Sequence, residues 1–170
     1  MWLRVIIYAI SIVVSFLLQT SVFEFLKLAD TVPNVMLTLV VCIALMRGRK
    51  EGLLVGFFCG LLIDLMYGDA LGWYALLYTG IGYVNGYFNH MYYQDEVFLP
   101  LAVLAGNAFL YDVLVYIFFF LLRGRMGFFY FLIHIIIPDA IYTAIFAVAT
   151  YYIMLHIMDR LEAFEQKGVL

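Results

Sequence analysis

The sequence predicts an all-α integral membrane protein, a compact bundle of about six transmembrane helices. Three observations predict it. Of 170 residues, 67% are hydrophobic and only 12% charged, whereas soluble domains run near half apolar and a quarter charged. Apolar residues run continuously rather than at every second position, which excludes the alternating strands of a barrel. Short polar breaks then divide the chain into stretches near the roughly 20 residues that a helix needs to cross the hydrocarbon core.

The six predicted spans are residues 5–25, 32–46, 52–67, 71–88, 97–122 and 128–157, in one polytopic domain covering 1–170. The first follows a charged start, Met1-Trp2-Leu3-Arg4, as an export signal would. No small-residue cleavage site follows it, since Gln19-Thr20-Ser21-Val22-Phe23 is a poor match, so it reads as a retained helix. The second and third spans are short. The turn between them, Arg47-Gly48-Arg49-Lys50-Glu51, holds three cations that would not sit at membrane depth, which favours two true spans over a re-entrant pair. The fourth opens after Asp69, which is placed to act as its N-cap. It ends at an aromatic cluster, Tyr87, Phe88, Tyr92 and Tyr93, suited to a membrane interface. Pro138 lies inside the sixth, where the missing N–H frees the His134 carbonyl and bends the helix. Asp159 to Lys167 can extend that helix beyond the membrane.

On this map Arg4, Arg47, Arg49, Lys50, Arg160 and Lys167 share one side, and Lys27, Arg123 and Arg125 the other. The excess puts both termini in the cytoplasm. The net charge of −3 and the scattered cations speak against nucleic-acid binding. Cys42 and Cys59 lie in apolar runs with no Cys or His at ligand spacing, so neither a metal nor a disulfide is expected. No Gly-x-Ser-x-Gly elbow, His-Glu-x-x-His or phosphate loop occurs. The reading is a non-enzyme without cofactors.

The most specific feature is a run in which every fourth residue is glycine save one: Gly52, Gly56, Gly60, Asp64, Gly68. On a helix these positions form a stripe without side-chain bulk, along which another backbone can approach. Gly82 and Gly86 repeat the device on the fourth helix, and Ala102 with Gly106 on the fifth. The stripes serve either packing within the chain or contact with a partner's helix. Asp64 closes the first stripe. Asp112 and Asp139 lie within the fifth and sixth spans, where no Lys or Arg can pair with them and His134 is the ionisable neighbour. They read as polar fasteners bonded to groups such as Asn107, Tyr111, Tyr142 and Thr143, with a proton or cation pathway as the alternative. On the first helix Ser11, Ser15 and Gln19 make a polar stripe suited to hydrogen bonds with a neighbouring helix.

The segment from Gly56 through Gly60, Asp64, Gly68 and Gly72 to Tyr78 resembles the central signature of the rod shape-determining MreD family. The Pro33-Asn34 opening of the second helix and the basic turn Arg47 to Lys50 resemble that family too. The resemblance implies a non-enzymatic scaffold of the cell-elongation machinery in the bacterial cytoplasmic (inner) membrane. It would bind the bitopic protein MreC and, indirectly, MreB and the peptidoglycan glycosyltransferase–transpeptidase pair, in contact with membrane lipid, and so help regulate peptidoglycan synthesis and rod shape. It also implies a bundle similar to the substrate-binding subunits of energy-coupling-factor transporters. The alternative function is therefore a small-solute transporter or vitamin-binding subunit. By residue, the signature carries over Gly56, Gly60, Asp64, Gly68 and Gly72 as positions shaping the third helix and its outer turn.

Overall fold

A computed structural model of the protein describes residues 2–22, 32–67, 72–91, 98–118 and 128–167. The expectations placed on Lys27, Gly68, Asp69, Tyr92, Tyr93, Arg123 and Arg125 lie outside the described residues. All regular structure among those described is helical. Helix α1 spans Trp2–Leu17 and continues as a π turn over Leu18–Val22. Helices α2 (Val35–Arg47), α3 (Arg49–Tyr67) and α4 (Trp73–Asn85) follow, the last running into a 3-10 turn over Gly86–Met91. Helix α5 covers Phe98–Tyr116. A turn at Phe128–Phe131 and a π turn at Leu132–Ile136 lead into α6, Ile137–Lys167.

The six predicted stretches correspond to these six helices, with shifted ends. Helix α2 begins at Val35 rather than residue 32, because Pro33 cannot donate to the first turn and Asn34 acts as its N-cap. Helix α3 begins three residues before the predicted 52. Only Gly48, at φ 90°, interrupts the chain between α2 and α3; Arg47 ends α2, and Arg49 and Lys50 ride on the first turn of α3. Pro138 sits one residue into α6, directly after the π turn. That is the local widening expected where proline removes a backbone donor.

Three helical stretches, Leu3–Val22, Phe98–Tyr116 and Phe129–Leu161, are long and apolar enough to cross a membrane by length and composition. The short α2 has a different setting. Every residue from Val35 to Leu45 is buried, so α2 is the axis around which the other helices pack. A helix enclosed by protein need not match the hydrocarbon thickness, which accounts for its length of 13 residues. Large apolar side chains such as Val5, Ile10, Leu54, Phe58, Leu76, Phe98 and Ile145 point outward instead. Burying polar groups inside and exposing apolar ones suits lipid as the solvent.

Candidate functional site

Enclosure of α2 creates a problem at its ends, where four N–H and four C=O groups have no partner within the helix. Other segments supply the partners. Asn34 Oδ1 accepts from Leu37 N at 3.0 Å, and Gln19 Oε1, reaching from the π turn after α1, accepts from Met36 N at 3.0 Å. The Tyr78 hydroxyl of α4 donates to the same Asn34 oxygen at 2.8 Å. Thr143 Oγ1 of α6 accepts from Asn34 N at 3.0 Å. At the other end Asn89 Nδ2 donates to Leu45 O at 2.6 Å. Asn34 therefore ties α2 to α4 and α6 within one buried cluster, with Gln19 adding the segment that follows α1. From sequence it was legible only as a helix opening.

The glycine stripe of α3 faces α4. A methyl group built on Gly56 would fall on the Tyr78 carbonyl, one on Gly60 on the Tyr74 carbonyl and Ala75 Cα, and one on Gly52 on Ala44 and the Gly82 carbonyl. From the other side, Gly82 meets the Gly52 backbone and Gly86 the backbone at Arg49. The two stripes thus interlock within the chain and bring the backbones of α3 and α4 together. A partner's helix has no access to them.

Asp64, 2% exposed, sits where this contact ends. Its Oδ1 accepts from Tyr74 N at 3.0 Å and its Oδ2 from Ala75 N at 2.8 Å. These are among the orphan donors of α4, and a carboxylate also suits the positive end of the helix dipole. The residue preceding α4 is Gly72, at φ 105°, and no side chain at that position caps the helix. The first amides of α4 are thus capped from α3 by Asp64, ten residues before Tyr74. Asp64→Ala should cost roughly 1–2 kcal/mol, the usual penalty for losing an N-cap. Asp64→Asn, which keeps one acceptor, should cost less. Denaturant titration of the purified protein in detergent would show the order, and equal loss in both variants would contradict the cap.

Asn85 of α4 and Asn107 of α5 form a reciprocal amide pair. Asn85 Nδ2 donates to Asn107 Oδ1 at 2.7 Å and Asn107 Nδ2 to Asn85 Oδ1 at 2.8 Å. Each amide also donates to its own helix, at Ile81 O and Val103 O. Asn107 is thus engaged with Asn85, and Thr143 Oγ1 accepts from Asn34 N. Asp112 of α5 and Asp139 of α6 lie near enough to interact with each other. The second oxygen of Asp112 is buried without a hydrogen-bond partner. His134 stays outside this pair: it is exposed, bonds the Tyr130 carbonyl at 3.1 Å and stacks on the Tyr130 ring.

At the end of the bundle that holds the basic turn, Arg4 pairs with Glu51 at 3.3 Å, and the Tyr8 hydroxyl bonds the same carboxylate. This latch of α1 to α3 was not read from the sequence, where Glu51 was only the close of a polar break. The second stripe residue of α1, Ser15, is buried.

No group of three or more His, Cys, Asp or Glu among the described residues could hold a metal ion. What the geometry defines is an all-helical membrane protein whose polar side chains serve one another and the helix ends. The chain belongs to the MreD family, described as rod shape-determining protein MreD, whose family profile matches residues 1–161. Its part is thus in determining rod shape, in a family of shape-determining structural proteins and not a known family of enzymes. No curated protein matches the chain. No solved structure matches it either.

Proposed function

We propose that this chain is a non-enzymatic membrane scaffold that binds MreC and helps regulate peptidoglycan synthesis during cell elongation. The observation that carries the reading is the family match over nearly the whole chain. In support, the polar side chains described above are spent on helix ends and on one another. In this reading the six helices form one domain and all cross the cytoplasmic membrane, with both termini in the cytoplasm. Support comes from Arg4, Arg47, Arg49 and Lys50 gathering at one end, where Arg4 and Glu51 pair. The likeness to substrate-binding subunits of energy-coupling-factor transporters is a further part of the proposal, supported by six helices of which the second is buried among the other five.

Because the Gly52–Gly56–Gly60 stripe is occupied, the partner's helix would dock on an outward face. Ala102 and Gly106 offer one on α5: both are exposed, and a Cβ on Gly106 would meet nothing within 4 Å. Depletion should cost cells their rod shape, and the wild-type chain should copurify with MreC. Gly106→Leu should lower that copurification severalfold while the chain stays folded. Retained rod shape on depletion would remove the functional reading, whereas undiminished copurification of the Gly106 variant would remove only this docking face.

The acids provide a separate check. If Asp112 and Asp139 are fasteners, Asp112→Asn keeps a hydrogen bond between α5 and α6 and should support rod shape at near wild-type level. Asp112→Leu should lower stability by roughly 1–2 kcal/mol, since Asp139 loses its partner. Loss of rod shape in a folded Asp112→Asn protein would point to a proton-dependent task instead.

A further inference from the structure

The outward side of the α3–α4 pair carries a feature that neither packing nor capping uses. An open groove of about 600 Å³ runs along it, lined by Leu53 and Phe57 of α3 and by Leu76, Thr79, Gly80 and Tyr83 of α4. A Cβ on Gly80 would meet nothing within 4 Å, so any side chain there would project into the groove. At one mouth stands Arg49, one helical turn before Leu53. Its guanidinium lies 4.4 Å from the centre of the Tyr87 ring, and the Tyr87 hydroxyl is 3.0 Å from that of Tyr83. All three side chains are exposed. Glu51, two residues along the helix, is engaged with Arg4, and among the described residues no carboxylate pairs with Arg49.

The arrangement is amphipathic along its length. A cation held by cation–π stacking and two hydroxyls sit at the rim, and an apolar trough leads from them into the membrane. From Tyr83 back to Gly72, which also lines the groove, α4 rises about 17 Å. That is close to the roughly 15 Å of one leaflet, half of a hydrocarbon core of about 30 Å. A helix crossing the membrane would call for contact through both leaflets and has no use for a cation at one rim. We propose that the groove seats one acyl chain of an anionic phospholipid, whose phosphate rests on Arg49 and the Tyr83 and Tyr87 hydroxyls.

The full-length protein, purified in mild detergent, can be tested by native mass spectrometry with phosphatidylglycerol and phosphatidylcholine of identical chains. Wild type should retain phosphatidylglycerol in preference. Arg49→Gln should lower that retention about fivefold, the usual weight of one cation near a lipid surface, and leave phosphatidylcholine unchanged. Arg49→Lys should keep most of the preference. Gly80→Leu, which fills the trough without touching the core, should reduce retention of both lipids. Glycerol phosphate, a headgroup without chains, should not displace the bound lipid. Equal retention of the two lipids by wild type, or an unchanged preference in Arg49→Gln, overturns the proposal. So does displacement by glycerol phosphate, or a Gly80→Leu protein that binds lipid as before and loses MreC instead.

Discussion

Gly56→Leu should unfold the α3–α4 pair. The position offers no space to relax into, because the obstacle is the Tyr78 carbonyl and the Thr79 backbone rather than the end of a flexible side chain. The two helices would have to separate by several ångströms, and the whole stripe from Gly52 to Gly60 would lose its contact with α4. Overfilling an ordinary packed site costs about 1–3 kcal/mol, and a backbone clash at a helix crossing belongs at or beyond the upper end. The separation would also carry the Tyr74 and Ala75 amides away from Asp64 and the Tyr78 hydroxyl away from Asn34, so the damage is not local. Denaturant titration in detergent should show a large loss of stability or no folded protein, and cells depending on the variant should lose rod shape. Gly80→Leu is the matched control, on the same helix but facing outward, and should be close to wild type in stability. Equal stability of the two variants would mean that the stripe does not lie against α4.

The second large effect belongs to Asn34. Its side-chain oxygen caps α2 and accepts from Tyr78, while its backbone N–H is held by Thr143. Asn34→Leu removes the cap, worth about 1 kcal/mol, and leaves the Tyr78 hydroxyl buried without an acceptor, at about 1–3 kcal/mol more. The expected total is roughly 2–4 kcal/mol, large against the 5–15 kcal/mol of a typical fold. Tyr78→Phe removes the donor without stranding Asn34, which keeps its bond to Leu37 N, so it should cost much less and should mask part of the Asn34 effect in the double variant. Simple additivity of the two substitutions would show that the pair does not interact.

Both effects stem from one arrangement. A short helix enclosed on all sides must find partners for its ends, and in lipid those partners come from protein. Gln19, Asn34 and Asn89 fill that need for α2, and Asp64 fills it for α4. The reciprocal Asn85–Asn107 pair and the Asp112–Asp139 contact then hold α5 to its neighbours on either side. Such bonds between membrane helices are individually modest, near 0.6 kcal/mol on average. Their weight here lies in number and in the burial of the groups they satisfy.

Much of this was readable from residues alone. Continuous apolar runs between charged turns fix six helices, since hydropathy and spacing are properties of the local chain. The fourfold glycine period marks a close helix contact for the same reason. Even Pro138 announces its irregular turn, because the missing N–H is covalent. What a one-dimensional reading leaves open is where each stripe points. Nothing in Gly52 to Gly60 says whether the neighbour is this chain or another, and only the fold turns the stripe onto α4. Nothing local says that Asp64, a residue of the preceding helix, supplies the acceptors for the first amides of α4. Asp112 and Asp139 lie 27 residues apart, and no local rule says that they face each other rather than Asn107 or Thr143. Asn107 reads from sequence as a partner for the acids and Asn85 carries no signal at all, yet the fold pairs the two amides with each other. Identity and period are set by the chain's own covalent order. Azimuth and pairing are set by how six helices share one interior, and that is decided only when all of them are packed together.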